Sequence, residues 1–470
     1  MVARQAEDGF TMMASMTFRE GIVRRGAAGY EELRRRLVRN SLLPARYPEV
    51  IVRAQTIDEA VAAVRLAREL GLQLATRSGG HSWCAAALRD GSLLLDLSRL
   101  NDLRIDLDGR RMTVGTGLTN GGLTSALAGH GLGFPAGHCR DVGLGGYLLT
   151  GGLGWNAGTW GPACHSVAAV EVITAQGDVV VADDRHDPDL LWAARGAGSG
   201  FFAVATSFEA RLYEAPRFTL TSSFAFPLSA LADVAAWVAR LAEGLDRRLE
   251  LSLAFASAPA SLAVLDIEAG RPIVVVTAVA FAASREECDS LLAPLEEGIG
   301  RSGFLDSEAR RETPQQALYE VIGVRLPAGR QFAADCLWSD EEPLAVFEAL
   351  GAALLAAPSA SSWMLVNVAS AQPPLVSPAP SAFSVSGKLY VSIYAVWDDG
   401  SAAARNLAWL RETMRGLESL AAGSYVGEAD LVARPSSAAQ SFSPAAWQRL
   451  NDLRDRYDPE RLFCWYPGLA

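Results

Sequence analysis

Apolar residues recur at helical spacing over residues 57–67. Thr56 immediately precedes this run, and Glu59 lies within its first turn. A threonine followed three positions later by a glutamate is the pattern of a capping box, so the helix is predicted to begin after Thr56. Gly71 stands where such a helix ends, and residues 72–76 form a short apolar-rich run typical of a strand. The pattern therefore predicts a helix that leads directly into a strand.

The same periodicities predict the other elements up to about residue 212. Residues 20–48 are rich in arginine and predict a helical lead-in. Asp187 and Pro188 are typical of an N-cap and a first helical position, so a helix is predicted there. Residues 175–178 predict a hairpin turn. Strands are predicted over residues 48–52, 92–97, 111–116, 167–174, 179–181 and 201–211, and a small helix over residues 120–128.

The pattern changes character near Pro216. Strands interleaved with amphipathic helices predict a mixed sheet with helices packed on one face. A stretch rich in serine, proline and alanine, residues 356–383, predicts a long loop. The strands are predicted over residues 218–226, 249–257, 273–281 and 389–397, and the helices over residues 230–241, 284–295 and 402–414.

Length, charge and cysteine usage limit the class of protein. A chain of 470 residues predicts two or three domains, and its net charge of −11 argues against a nucleic-acid binder. No apolar run reaches the length of a membrane span, and residues 1–19 show no secretory signal. The six cysteines include no C-x-x-C pair, which favours reduced thiols and a cytoplasmic protein.

The predicted strand at residues 72–76 is followed by the motif Arg77-Ser78-Gly79-Gly80-His81-Ser82. Two glycines after a strand allow a sharp bend that exposes several backbone N–H groups, an arrangement that suits phosphate. Arg77 adds positive charge, and His81 is the reactive side chain of the motif. By itself, this motif is equally compatible with a plain turn.

A second glycine-rich stretch points to a large ligand. Seven glycines lie between Gly137 and Gly154, which argues strongly against a regular helix. Such a backbone suits a loop pressed against a flat ligand and its phosphates. Cys139 lies at the start of this stretch and Tyr147 in its middle.

In order and spacing, the two motifs resemble those of berberine-bridge-enzyme-like oxidases, in the vanillyl alcohol oxidase superfamily. That family carries R-S-G-G-H and, later, G-x-C-x-x-V-G-x-G-G, and both are present here unbroken. The resemblance implies an α+β chain with FAD as its cofactor. It implies a two-part PCMH-type FAD-binding domain over residues 1–212 and a substrate domain over residues 213–420, with a mixed or antiparallel sheet and helices on one face. Residues 421–470 then return to the FAD domain.

The resemblance also implies how FAD is held. In the family, the histidine of the first motif attacks the 8α-methyl carbon and the cysteine of the second attacks C6, which gives two covalent bonds, here through His81 and Cys139. Because a thiolate is the competent nucleophile, Cys139 is expected to have a lowered pKa, supplied by Arg140, His138 and nearby N–H groups. The implied FAD-binding residues are Arg77, Ser78, Gly79, Gly80, His81, Ser82, Cys139, Val142, Gly143, Gly145, Gly146, Tyr147, Gly151, Gly152, Gly154, Val172 and Tyr425.

Substrate oxidation also needs a group that takes a proton from a hydroxyl or amine. By resemblance, Tyr425 is the first choice, because it matches the tyrosine of the family's Y-x-N motif, although Gly427 stands where the family usually has asparagine. Tyr390 and Tyr394 are the alternatives. The predicted strand puts both on one face with Ser392. That face either looks onto the flavin or lies at a solvent edge.

Val142 bears on the electron acceptor. By resemblance, a valine here leaves a small apolar pocket beside the flavin where molecular oxygen can sit, and a leucine fills it. The expected activity is therefore an oxidase that acts on an alcohol, sugar hydroxyl, amine or natural product and releases hydrogen peroxide. The alternative is that Val142 only packs under the loop.

Other classes of function stay open. A flavin-dependent dehydrogenase would use another acceptor, and an FAD-bearing electron-transfer subunit would have no substrate of its own. The large region at residues 216–425 favours a substrate enzyme over the latter. An NAD-binding α/β protein is disfavoured, since no acidic residue follows a G-x-G-x-x-G at the expected distance. No metal is expected, because the adjacent pairs His138-Cys139 and Cys164-His165 are poor ligand spacing.

Overall fold

A computed structural model describes residue 18 and residues 21–259, 268–298 and 305–469. The first seventeen residues, where no secretory signal is predicted, lie outside this described part. Within it, no helix combines the length and apolar character that crossing a membrane requires.

The described elements are numbered in chain order. The strands are β1 (Ile22–Arg24), β2 (Val50–Arg53), β3 (Gln73–Arg77), β4 (Ser92–Asp96), β5 (Leu103–Asp106), β6 (Arg111–Gly115), β7 (Leu132–Gly133), β8 (Val167–Ile173), β9 (Val179–Asp183), β10 (Val204–Arg211), β11 (Tyr213–Glu214), β12 (Phe218–Pro227), β13 (Leu249–Ser257), β14 (Pro272–Ala282), β15 (Asp306–Glu312), β16 (Gln331–Ser339), β17 (Trp363–Val368) and β18 (Leu389–Trp397). The α-helices are α1 (Tyr30–Arg36), α2 (Ile57–Leu70), α3 (Asn120–Leu127), α4 (Leu144–Leu149), α5 (Ala157–Trp160), α6 (Pro188–Ala194), α7 (Leu231–Glu243), α8 (Arg285–Gly298), α9 (Gln315–Arg325), α10 (Pro343–Leu355), α11 (Ala403–Leu417), α12 (Ser437–Gln440) and α13 (Pro444–Tyr457).

The first sheet contains the predicted helix-to-strand passage. Its order is β1-β2-β4-β3, with β4 parallel to both β2 and β3. Helix α2 begins as predicted, since the Thr56 side chain accepts a hydrogen bond from the Glu59 N–H, and it ends at Gly71 with φ of 63°. The helical lead-in predicted at residues 20–48 is wrong in part, because only Tyr30–Arg36 is α-helical among its described residues. Gly26 and Gly29 have positive φ, so the segment is divided into β1 and the short α1.

The second sheet has the order β5-β6-β10-β8-β9, and all of its neighbouring strands are antiparallel. Strand β5 was not predicted, because its alternation of apolar Leu103 and Ile105 with polar residues extends over only four residues. Helix α6 has Pro188 at its start as predicted, but the Asp187 side chain makes no capping hydrogen bond. The loops that leave these two sheets form one side of the functional site.

The third sheet has the order β15-β12-β14-β13-β17-β18-β16, and every neighbouring pair is antiparallel. Helices α7, α8, α10 and α11 share a hydrophobic core with one face of it, as predicted. Helix α9 departs from the prediction, because its Leu318 and Ile322 pack on the other face. The loop predicted at residues 356–383 is wrong in part. Strand β17 lies inside it and pairs with β13 and β18, because the six-residue run WMLVNV is long enough for a strand despite its flanks.

The C-terminal segment packs back onto the first sheet. The Leu74 N–H donates to the Leu462 carbonyl at 2.7 Å, and the Cys464 N–H donates to the Leu74 carbonyl at 2.9 Å. Phe463 and Tyr466 are buried in the core that the first two sheets share. The C-terminus therefore lies beside the loop that follows β3.

Candidate functional site

A cavity of about 340 Å³ lies between the loops of the first two sheets and the face of the third sheet that, among the described helices, carries only α9. Both glycine-rich motifs reach its wall, and so do the three predicted tyrosines. The predicted site residues that line it are Arg77, Ser78, Gly79, Gly80, His81, Ser82, Cys139, Val142, Gly143, Gly145, Gly146, Tyr147, Tyr390, Tyr394 and Tyr425.

The first motif forms an open turn at the end of β3. Gly80 has φ of 68°, and a Cβ there would overlap the Leu37 carbonyl, so this position requires glycine. In the described chain, the backbone N–H groups of Gly79, Gly80, His81 and Ser82 have no acceptor. Unpaired N–H groups at a cavity wall suit the oxygens of a phosphate.

The expected charge of Arg77 is largely neutralised within the protein. Its guanidinium lies 2.7 Å from the buried carboxylate of Asp96 and donates to the Leu37 carbonyl at 3.0 Å. It also donates to the Gly79 carbonyl at 3.1 Å. Arg77 therefore holds the turn in place, and the backbone supplies the donors for an anion.

The second motif packs tightly against the first. A Cβ on Gly143 would overlap Ser78 Oγ, and a Cβ on Gly145 would overlap Thr116 Oγ1, so both positions need glycine. Gly146 differs, because a Cβ there would meet no atom within 4 Å although the residue lines the cavity. The backbone at Gly146 is thus open to a flat ligand.

These features test whether the site fits FAD. Besides the unpaired N–H groups, two buried polar atoms at the cavity wall, Asn120 Oδ1 and Ser199 Oγ, have no hydrogen-bond partner in the described chain. Buried polar atoms of native proteins are nearly always paired. The combination of unpaired donors, unpaired acceptors and a bare glycine backbone fits a large polar cofactor.

A carboxylate from the Cys139 loop, that of Asp141, contacts His81, the other predicted attachment residue. The loop after Cys139 brings Asp141 Oδ1 to 3.0 Å from His81 Nε2, and Arg39 Nε lies 2.8 Å from the other oxygen. Burial alone would raise the pKa of Asp141, but the hydrogen bonds and charges of His81 and Arg39 outweigh it and hold this pKa well below its usual range. An ionised Asp141 accepts a proton from Nε2, so the hydrogen bond favours the imidazole tautomer that carries its proton on Nε2 and leaves Nδ1 as the acceptor nitrogen.

The expectation of a lowered pKa at Cys139 is wrong. Burial raises the pKa of the Cys139 thiol to about 12, and the carboxylates of Asp141 and Glu428 raise it further than Arg39 lowers it. Arg140 and His138, which were expected to stabilise the thiolate, do not act on it in this way. His138 instead lies 2.6 Å from Glu250, and although burial alone would lower the pKa of His138, this pairing raises it.

The opposite wall of the cavity carries the hydroxyls of β18. Tyr390, Ser392 and Tyr394 lie on one face, as predicted, and this face looks into the cavity and not onto solvent. All three hydroxyls donate to the carboxylate of Glu428, Tyr390 at 2.7 Å and Tyr394 at 3.1 Å. Burial, together with the charge of Glu428, raises the pKa of both tyrosines. Both are therefore phenols at neutral pH.

Tyr425 lies between the two walls. Its hydroxyl is 3.2 Å from Thr150 Oγ1 and accepts a hydrogen bond from the Gly152 N–H at 3.3 Å. Burial raises the pKa of Tyr425, and the hydrogen bond with Thr150 opposes this only in part. A Cβ on Gly427 would lie 2.7 Å from the Tyr425 ring, so the family's usual asparagine has no room here without a shift.

Four predicted cofactor residues lie behind the cavity wall. The Cα of Gly151 faces Phe383, while Gly152 and Gly154 pack against Tyr147. Val172 is fully buried in the interior strand β8. These glycines therefore support Tyr147 and Tyr425 from behind, while Leu153 and Trp155 of the same stretch line the cavity.

The side chains of the cavity that the sequence analysis missed include Glu428, Glu250, Trp83 and Trp363. Trp83 directly follows the first motif, and Glu428 directly follows the residues that match the Y-x-N motif, so position next to a motif is the signal that both share. Trp363 belongs to the strand that was predicted as a loop. Glu250 alternates with apolar residues on β13, which indicates only that it faces away from the helix-covered core.

Comparisons with known proteins agree with this geometry. Residues 48–183 match the family described as FAD binding domain. The FAD-linked oxidoreductase nodO of Hypoxylon pulicicidum is 30% identical over 445 residues, which cover 92% of this chain and 93% of that relative. The match therefore includes the third sheet and the C-terminal segment as well as the FAD-binding part.

Solved structures show the same fold. The 6-hydroxy-D-nicotine oxidase of Arthrobacter nicotinovorans superposes with a TM-score of 0.80 at 24% identity, over 96% of this chain and 97% of that one. The BBE-like 1 protein of Physcomitrella patens superposes with the same TM-score at 18% identity, also over 96% and 97% of the two chains. By its 30% identity to nodO over 92% of its length, this chain belongs to the FAD-linked oxidoreductases, and its fold is that of the BBE-like 1 protein and of 6-hydroxy-D-nicotine oxidase.

Proposed function

We propose that this enzyme is an oxidase that holds FAD covalently through His81 and Cys139 and passes electrons from a small molecule to molecular oxygen. The observation that carries the proposal is the cavity itself. One end offers unpaired backbone N–H groups beside two nucleophilic side chains, and the other offers tyrosine hydroxyls and carboxylates. The first end suits the cofactor and the second suits a substrate.

FAD accepts a hydride from a substrate C–H bond and delivers the electrons to an acceptor. The turn at residues 78–82 would hold its phosphates, and Gly143, Gly145 and Gly146 would lie along the ring system. One solved structure with this fold is that of an oxidase, 6-hydroxy-D-nicotine oxidase. Fold does not fix chemistry, so the assignment to an oxidase rests on Val142 and on the test below.

Anaerobic reduction of the purified protein distinguishes a substrate enzyme from an electron-transfer subunit. The isolated chain is expected to be yellow, to lose its flavin absorbance with a suitable amine or alcohol under nitrogen, and to regain it on aeration with one hydrogen peroxide released per flavin. Reduction that occurs only after a partner protein is added would contradict the proposal and favour the electron-transfer subunit.

Tyr425 is proposed as the group that takes the substrate proton, with Tyr390 and Tyr394 beside it. Tyr425→Phe is expected to keep the flavin spectrum and to slow anaerobic flavin reduction by on the order of a hundredfold, the usual effect of losing an acid–base group. Because burial raises the pKa of Tyr425, its phenolate is scarce at neutral pH, so the reduction rate should still rise with pH above 8. Stopped-flow absorbance measures both effects.

Two results would remove Tyr425 from this role. Unchanged reduction kinetics in Tyr425→Phe would mean that another group takes the substrate proton. A reduction rate that is already constant from pH 6 upward would indicate a carboxylate base instead. Tyr213→Phe is a matched control, since that tyrosine stacks on Trp160 away from the cavity wall.

Asp141 is expected to position His81 for attachment. Asp141→Asn removes the ionised acceptor of the Nε2 proton. The variant therefore no longer favours the His81 tautomer in which Nδ1 keeps its lone pair for attack on the flavin. The fraction of chains linked through His81 should fall several-fold, which is measured by the mass of flavin peptides in a Cys139→Ala background. Asp102→Asn, an exposed aspartate elsewhere on the FAD domain, is the control. Equal attachment in Asp141→Asn and the control would refute this role.

A further inference from the structure

Glu428 is a carboxylate surrounded by neutral donors in the cavity wall. Its Oε2 accepts hydrogen bonds from Tyr390 at 2.7 Å, from Ser392 and from Tyr394 at 3.1 Å. Its Oε1 accepts only from Tyr394, at 3.1 Å, among the described residues. A carboxylate oxygen has about two acceptor positions, so Oε1 retains capacity for a further donor.

Apart from Arg89, which lines the cavity and donates only to carbonyls in the described chain, the other charged groups of this wall have charged partners within the protein. In the described chain, no arginine, lysine or histidine forms an ion pair with Glu428. By contrast, charged partners lie close to the other ionisable groups, as in the pairs Arg77 with Asp96 at 2.7 Å, His81 with Asp141 at 3.0 Å and His138 with Glu250 at 2.6 Å. Arg89 donates to the carbonyls of Ala86 and Trp465. Glu428 therefore brings an uncompensated negative charge into the cavity.

The effect of that charge extends across the site. After burial, which is the largest cause, Glu428 contributes to the raised pKa values of Tyr390, Tyr394 and Cys139. Glu428 is half-buried, and a charge that is partly removed from water without a charged partner is unfavourable, because protein surroundings replace water poorly. A ligand cation beside Oε1 would remove this imbalance.

Aromatic rings complete the surroundings of Glu428. Tyr394 stacks on Trp363 with ring centroids 4.5 Å apart, and Trp83 meets Tyr394 edge-on at 5.8 Å. All three rings line the cavity. Aromatic faces attract cations, and the Arg325 guanidinium already lies 5.4 Å from the centroid of the Trp363 ring. Trp83, which lines the cavity on the same side, is therefore the indole expected to meet a ligand cation beside the carboxylate.

We propose that Glu428 binds the positively charged nitrogen of the substrate, and that the substrate class of this enzyme is therefore a cationic amine. The inference rests on the proposed function, since it names the substrate of the same cavity. The ammonium N–H groups would donate to Oε1, while the hydrocarbon part of the amine would pack against Trp83 and Trp363. Neutral sugars and alcohols lack the charge, and carboxylate-bearing molecules would be repelled.

Binding of matched probes to the holoenzyme tests this proposal. Phenethylamine carries the ammonium, 2-phenylethanol is its neutral counterpart, and phenylacetate is its anionic one. Perturbation of the flavin absorbance under nitrogen, or quenching of tryptophan fluorescence, gives each dissociation constant. We expect the amine to bind about ten- to a hundredfold more tightly than the alcohol, and phenylacetate to bind most weakly, as expected for a charge-assisted hydrogen bond.

Variants at Glu428 assign the preference to this residue. In Glu428→Gln, the amine should lose at least tenfold in affinity, the alcohol should change less than about twofold, and phenylacetate should gain affinity. Glu428→Asp keeps the charge and should retain part of the preference. Glu418→Gln is a control at an exposed glutamate. Because the amide oxygen of Glu428→Gln can still accept from the hydroxyls, an unchanged flavin spectrum and melting temperature will show that the fold is intact.

The proposal is overturned if the unmodified enzyme binds the three probes equally, or if Glu428→Gln keeps the preference for the amine. Failure of the proposed function is a separate result. If the chain binds the amine preferentially but no substrate reduces the flavin, cation binding stands and the oxidase assignment fails. If alcohols or sugars reduce the flavin and amines do not, the oxidoreductase assignment stands and the amine class is wrong.

Discussion

Val142→Leu is expected to slow the reoxidation of the reduced flavin by dissolved oxygen by about tenfold or more, while flavin reduction by substrate changes little. Val142 is half-buried and lines the cavity. Its carbonyl accepts a hydrogen bond from the Asn120 N–H at 2.9 Å, which fixes the backbone. The next residue, Gly143, already touches Ser78, so the loop has no room to retreat from a larger side chain. One added methylene would therefore fill the space proposed for oxygen.

Stopped-flow mixing of reduced enzyme with aerated buffer measures this effect. Val142→Ala, which enlarges the same space, is the matched control and should keep the fast reaction with oxygen. Equal rates in Val142→Leu and the unmodified enzyme would mean that Val142 only packs under the loop. A reduced unmodified enzyme that ignores oxygen but reacts promptly with a quinone would establish the dehydrogenase alternative.

The bond between Cys139 and the flavin is expected to form about tenfold faster for each unit rise in pH between pH 6 and pH 10. The thiolate is the reactive form, and with a pKa of about 12 it amounts to only about one molecule in 10⁵ at pH 7. The rate is expected to rise with pH, because raising the pH toward the pKa of Cys139 increases the fraction of the thiol that is ionised. Attachment through His81 should precede attachment through Cys139 at neutral pH.

A time course on chain produced without cofactor and then supplied with FAD measures the two bonds separately. Acid quenching followed by peptide mass analysis gives the linked fraction at His81 and at Cys139. The His81→Ala variant isolates the cysteine bond. A rate at Cys139 that does not change between pH 6 and pH 10 would mean that FAD itself lowers the thiol pKa on binding.

Local patterns predicted much of the fold and half of the site. The capped helix α2, the antiparallel strand β18 and the two glycine-rich motifs depend on neighbouring residues, so their spacing along the chain carries the information. The glycines at positions 80, 143 and 145 proved to be required by close backbone approach. The convergence of His81 with the Cys139 loop followed from the family resemblance and not from the spacing.

The remaining features depend on contacts between distant parts of the chain. Arg77 was expected to serve an anion, but Asp96 neutralises it. The thiol of Cys139 was expected to be acidic, but burial and Asp141 make it a weaker acid. Glu428 gains its importance only because β18 brings three hydroxyls to it. Strand β17 was hidden because its flanks favour a loop, while its pairing with β13 and β18 favours a strand.

The intact mass of the acid-denatured, unmodified protein tests most directly the central claim that FAD is held covalently through His81 and Cys139. The account predicts a yellow polypeptide whose mass exceeds that of the bare chain by one FAD. His81→Ala and Cys139→Ala should each retain the added mass, and the double variant should lose it. A colourless polypeptide of bare-chain mass, with free FAD in the acid supernatant, would contradict the account.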